Sequence, residues 1–144
     1  MKKILIVGMI VLLSGCSISK NVVKVDSKTA IQKIHILKNN NDHMAGFYPE
    51  LISQIRTLGF EAGSYDGDRP KDALHYLTYR ANWTWDLAMY LVYFHATLYE
   101  DGKVIGEVEY DAKMGGANMS KFGHTADKIR PLLNELFINV ARAK

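Results

Sequence analysis

From residue 77 to residue 86 the side chains alternate in kind. Leu77, Tyr79, Ala81, Trp83 and Trp85 fall on one side of an extended chain, and Thr78, Arg80, Asn82, Thr84 and Asp86 on the other. A period of two predicts a half-buried strand. Residues 89–99 (MYLVYFHATLY) are apolar on both sides, which predicts a central strand. Asp101-Gly102 then carries the signature of a two-residue hairpin turn. Residues 104–110 return as a further strand with Glu107 and Glu109 facing outward. Together the three segments predict an antiparallel meander.

The period changes on either side of the meander. Phe47, Leu51, Ile55 and Leu58 recur at spacings of four, four and three, one face of a helix, and Gly59 is a natural C-terminal stop. Ile129, Leu132, Leu133, Leu136 and Val140 form a second helical stripe, with Thr125 as the expected N-cap. Pro131 must lie in the first turn of that helix or bend it. Residues 31–37 (IQKIHIL) and 60–65 read as strands, and 39–42, 66–70 and 114–123 as loops. Residues 17–29 are polar and read as a tether. The order β-α-β-β-β-β-α predicts a single α+β domain over residues 30–144. Its sheet is mixed or antiparallel, and both amphipathic helices pack on one face.

The chain begins with a different pattern. Lys2 and Lys3 precede a ten-residue apolar run at 4–13 (ILIVGMIVLL). A membrane-spanning helix needs about 20 such residues, so this run reads as the core of a secretory signal. It ends in Leu13-Ser14-Gly15-Cys16. These four residues resemble the lipobox of bacterial lipoproteins. The resemblance implies that residues 1–15 are a removable signal, that Cys16 carries a thioether-linked diacylglycerol, and that residues 16–29 are a lipidated tether. Two or more acyl chains hold a protein stably at a membrane. Ser17 stands where inner-membrane lipoproteins of this type tend to carry Asp, so the resemblance also implies the outer membrane, with the domain facing the periplasm. The element order is similar to small periplasmic lipoprotein domains of the TolB amino-terminal and curli-secretion type. No motif accompanies that likeness, and it transfers no residue roles.

Charge narrows the partners. Losing Lys2 and Lys3 leaves 16 basic against 15 acidic residues, a net charge of about +1. Such a balance gives no field to attract nucleic acid. Cys16 is the only cysteine, so no disulfide framework exists.

Candidate chemistry is sparse. His35, His43, His75, His95 and His124 show no zinc-ligand spacing, so no metal is expected. A calcium loop starting at Asp66 would need glycine and glutamate where Lys71 and Leu77 stand. Gly115, Gly116 and Gly123 fit no phosphate-binding spacing. Glu107, Glu109 and Asp111 share one strand face, where solvent keeps carboxylates ordinary. The expectation is a protein that is not an enzyme and carries no cofactor.

Aromatic residues give the strongest remaining signal. Tyr76, Tyr79, Trp83, Trp85, Tyr90, Tyr93, Phe94, Tyr99 and Tyr110 fall within 35 residues. Most are expected to fill the core, while Tyr76, Tyr90 and Tyr110 are the candidates for an exposed binding surface. The sequence thus favours a membrane-anchored, non-catalytic binding or assembly factor. Its expected partners are membrane lipid, through acylated Cys16, and an envelope protein. The alternatives are a small-ligand or lipid-binding domain, which needs an apolar pocket, and an envelope hydrolase, which needs a concave cluster of acids or histidines.

Overall fold

The computed structural model describes residues 17–39 and 44–142. The expected signal, Cys16 and His43 lie outside these residues. The domain is α+β: a six-stranded mixed sheet carries two helices.

The meander forms as its pattern demands. β5 (His75–Asp86), β6 (Ala88–Glu100) and β7 (Lys103–Asp111) are long antiparallel neighbours. Asp101 and Gly102 both take positive φ, as a two-residue hairpin turn requires. On the far side of β5, β3 (Lys33–Leu37) pairs in parallel, and β4 (Glu61–Tyr65) pairs in parallel with β3. The helix α1 (Phe47–Thr57) makes the crossover between β3 and β4. The helix α2 (Thr125–Leu136) follows β7, after a single 3-10 turn at Met119–Lys121.

The core lies between one sheet face and the two helices. Ile34, Ile36, Leu77, Tyr79, Phe94, Ala96, Leu98, Val108 and Tyr110 supply the sheet side. Phe47, Leu51 and Ile55 of α1 and Ile129, Leu132, Leu133 and Leu136 of α2 supply the helix side. Phe47 is the aromatic hub, with ring centroids 5.4 Å from Tyr79, 5.0 Å from Trp83 and 5.7 Å from Phe94. The side chain of Arg130 on α2 donates to Gln54 Oε1 on α1 at 3.2 Å, tying the helices together.

Three local expectations are corrected. The stretch expected as tether contributes an edge strand to the sheet, because β1 (Ser19–Val23) pairs with β7 along its whole length. Val25 is then fully buried, and its amide donates to the Leu136 carbonyl at 3.0 Å. Gly106 makes room for this packing. A Cβ there would stand 2.6 Å from Leu136 Cδ1 and 2.9 Å from Val25 Cγ2. Next, the segment 31–37 is divided at Gln32, with β2 (Ala30–Ile31) pairing instead with β8 (Ala141–Arg142). Finally, His124 rather than Thr125 is the N-cap of α2, and Pro131 lies inside that helix. The Thr125 hydroxyl instead faces Trp83, accepting from the indole Nε1 at 3.4 Å.

Candidate functional site

The helices cover one face of the sheet and leave the other open. Strand alternation puts Tyr76, Thr78 and Arg80 of β5, Tyr93, His95, Thr97 and Tyr99 of β6, and Glu107, Glu109 and Asp111 of β7 on that open face. The three carboxylates therefore share a face, as expected from their spacing.

The open face is organised by contacts among its own side chains. Tyr76 and Tyr99 are cross-strand partners, with their rings stacked at 4.8 Å and only 4° between planes. The Arg69 guanidinium lies 5.0 Å from the Tyr76 ring centroid and extends the stack. Tyr65 on β4 joins this aromatic end. Burial raises its phenol above the usual range, and Tyr76 adds to the rise. Toward β7 the chemistry becomes acidic. Tyr93 donates to Glu109 Oε1 at 3.0 Å while the Lys113 ammonium sits 4.0 Å above its ring. Burial pushes the Tyr93 phenol up, and the hydrogen bond to Glu109 pushes it further. His95 Nε2 is 3.4 Å from Glu107 Oε1, which also accepts from the Thr97 hydroxyl at 3.4 Å. These tyrosines need little ordering on contact, because their neighbours already fix them.

Of the three tyrosines expected at a binding surface, only Tyr76 is there. Tyr110 is 1% exposed and Tyr90 8% exposed, so both are corrected to the interior. Tyr110 faces the helices, because parity with outward Glu107 and Glu109 forces it inward. Tyr90 is covered by Phe122, whose ring packs edge-on at 5.4 Å, and by the Lys121 ammonium at 5.3 Å. Tyr93 and Tyr99, not singled out in the sequence, belong to the surface. The Asp-Gly turn alone does not pair Tyr99 with Tyr76. That register depends also on the irregularity at Asn82/Trp83 and on the far end of the hairpin.

A second feature lies beside the start of α2. An open, mostly polar cleft of about 530 Å³ is bordered by Lys20, Tyr110, Ser120, His124, Asp127 and Lys128, among others. The buried Lys128 ammonium donates to the carbonyls of Ser120 at 3.2 Å and Phe122 at 3.1 Å, and to that of Lys121. Tyr110 Oη lies 3.4 Å away. Burial lowers the Lys128 pKa, with a smaller push from Lys20. Its donors are engaged by backbone, so Lys128 pins the 113–122 segment to α2. Among the described residues no group of three or more His, Cys, Asp or Glu side chains could hold a metal. None of the described helices is long and apolar enough to cross a membrane.

No protein-family model matches the chain, and no curated protein matches it. Solved structures do. A point variant of the PelC dodecamer from Paraburkholderia phytofirmans superposes with a TM-score of 0.55 at 9% identity, covering 89% of this chain and 100% of that one. The PelC dodecamer from the same organism in another crystal form gives 0.54 at 8% identity with the same coverage. At such identity the likeness is one of fold: this chain has the architecture of a PelC subunit.

Proposed function

We propose that this chain is a lipoprotein, held through acylated Cys16 at the periplasmic side of the outer membrane, that acts as a non-catalytic binding or assembly factor. The observation that carries the reading is the uncovered sheet face. It presents ordered tyrosines and carboxylates, while the opposite face is filled by close-packed apolar side chains. A filled core with a pre-ordered open surface suits docking of a macromolecule better than enclosure of a small ligand. Anchoring raises the domain's effective concentration toward other envelope proteins, so modest affinity suffices.

One comparison favours a companion reading, in which the partner is a second copy of the chain. Both PelC structures named above are dodecamers. The same face, or the edges of its sheet, would then meet another subunit.

The test is photocrosslinking in cells, from a crosslinking residue placed at Tyr76 or Tyr99 in the full-length chain. A control site at Asn134, exposed on α2, reports the helix side. The reading predicts one specific envelope-protein or self-crosslinked product from the sheet sites. That product is absent from Asn134 and weakened by Cys16→Ala. Equal products from both sides, or none from the sheet, would overturn it.

A further inference from the structure

The two ends of the sheet differ in what they expose. β1 starts at Ser19, opposite Asp111; Asp111 is opposite Tyr93, and Tyr93 opposite Asn82. At this end the β5–β6 hairpin continues past that row to its tip at Leu87. Here Trp85 is 69% exposed, Leu87 78% and Met89 roughly half. The 113–122 segment lies at the same end and adds Met114 and Met119, both about two-thirds exposed or more. Lys121 fastens the two together, bonding the tip's Asp86 carboxylate and its own segment's Gly116 carbonyl, each at 2.5 Å. Half of the exposed large apolar side chains among the described residues thus sit on two joined structures at one end.

Leu87 is costly twice. Its φ is +61°, in the left-handed region that glycine and asparagine occupy more readily. Its side chain is also among the most exposed apolar groups described. A turn in water would relieve both with Gly or Asn. A turn that enters an apolar phase would keep Leu, and would carry an indole beside it at the polar boundary.

The course of the chain says which apolar phase. Moving backward from Ser19, β1 points out of this same end, and Ile18 lies against the 113–122 segment, where a Cβ on Gly115 would be 3.6 Å from its Cγ1. Cys16 is three residues before Ser19, a reach of about 10 Å at roughly 3.3 Å per residue. From the Asn82 row to Asp86 is four residues, about 13 Å on the same measure. The chain before Ser19 is therefore long enough for a lipid on Cys16 to stand level with the hairpin tip. We infer that the β5–β6 hairpin tip and the 113–122 segment form a second, apolar attachment to the phospholipid leaflet that holds the Cys16 lipid, standing the domain end-on upon the membrane. This rests on the lipoprotein reading above. It leaves the open sheet face upright and accessible to a partner beside it.

The test uses the full-length lipoprotein purified from its membrane and reconstituted in phosphatidylcholine vesicles. Some vesicles carry brominated acyl chains, which quench nearby indoles. The contribution of Trp85 is the difference between the natural chain and Trp85→Phe; Trp83, half-buried against Phe47, is the background. The inference predicts that Trp85 emission shifts to shorter wavelength on reconstitution. Bromines near the headgroup should roughly halve it, as for a group about 5–10 Å into the leaflet boundary. Leu87→Asn, a residue compatible with that φ, should keep the fold and reduce the quenching. An acylated chain bound to vesicles with Trp85 unquenched would overturn this inference and leave the anchor standing. A chain with a bare Cys16 that stays off the vesicles would overturn both. A shift in detergent solution that vanishes on dilution, without quenching, would assign the tip to contact between copies and also overturn it.

Discussion

Alternate residues of the same strands do opposite work on the two faces of this sheet. On the covered face Phe94, Ala96 and Leu98 of β6 meet Phe47 and the helix stripes, and what matters is volume. On the open face Tyr93, His95, Thr97 and Tyr99 of β6 meet side chains of the neighbouring strands through hydrogen bonds, a close His95–Glu107 contact and a stacked ring. Stability comes mainly from the first set, since it excludes water from apolar area. The second set adds little stability, yet it fixes a patterned surface. A strand can hold a scaffold and a recognition surface at once because its side chains alternate.

Substitutions on the two faces should separate these roles. The largest effect belongs to Phe94→Ala, which leaves a cavity beside Phe47 and should cost about 3–5 kcal/mol in urea-induced unfolding. Gly106→Ala follows. The added methyl would press on Leu136 and Val25, so a loss of about 1–3 kcal/mol is expected, with β1 loosening first in hydrogen exchange. Tyr99→Ala on the open face should cost only about 1 kcal/mol, chiefly its stacking on Tyr76, while abolishing the crosslinked product from Tyr76. If Tyr99→Ala destabilised the fold as strongly as Phe94→Ala, the division between faces would fail.

The smallest effect concerns pH. Burial and the bond to Glu109 raise the Tyr93 phenol above its ordinary 10.0. A folded-state value above the unfolded one contributes stability that is fully present below pH 10.0 and is lost as pH rises through the raised value. Glu109→Gln should move the Tyr93 titration, followed by ultraviolet absorbance, back toward the ordinary value. It should also shrink the fall in stability above pH 10.0.

The meander and both helices were legible because their apolar positions repeat at two and at 3.6 over many residues. β1 was not. It is a five-residue edge strand with Lys20 and Asn21 within it, and its one buried anchor, Val25, comes after it ends. An edge strand pairs on one side only and needs no apolar pattern to do so. The carboxylate face was legible from the spacing of Glu107, Glu109 and Asp111. The same parity could have placed Tyr110 inside. Tyr90 could not be placed that way, since Phe122, its cover, comes from a loop without period. The Tyr76–Tyr99 stack depends on a strand irregularity and on a hairpin tip at Leu87, neither of which has a sequence signature.

Both the proposed docking role of the open face and the inferred end-on stance on a leaflet stand on lipid at Cys16. Intact-mass spectrometry of the protein from its native membrane reads that directly. The account predicts a chain that starts at Cys16, lacks residues 1–15 and carries the added mass of a diacylglycerol. A chain retaining Met1, or one with an unmodified Cys16 thiol, would contradict it.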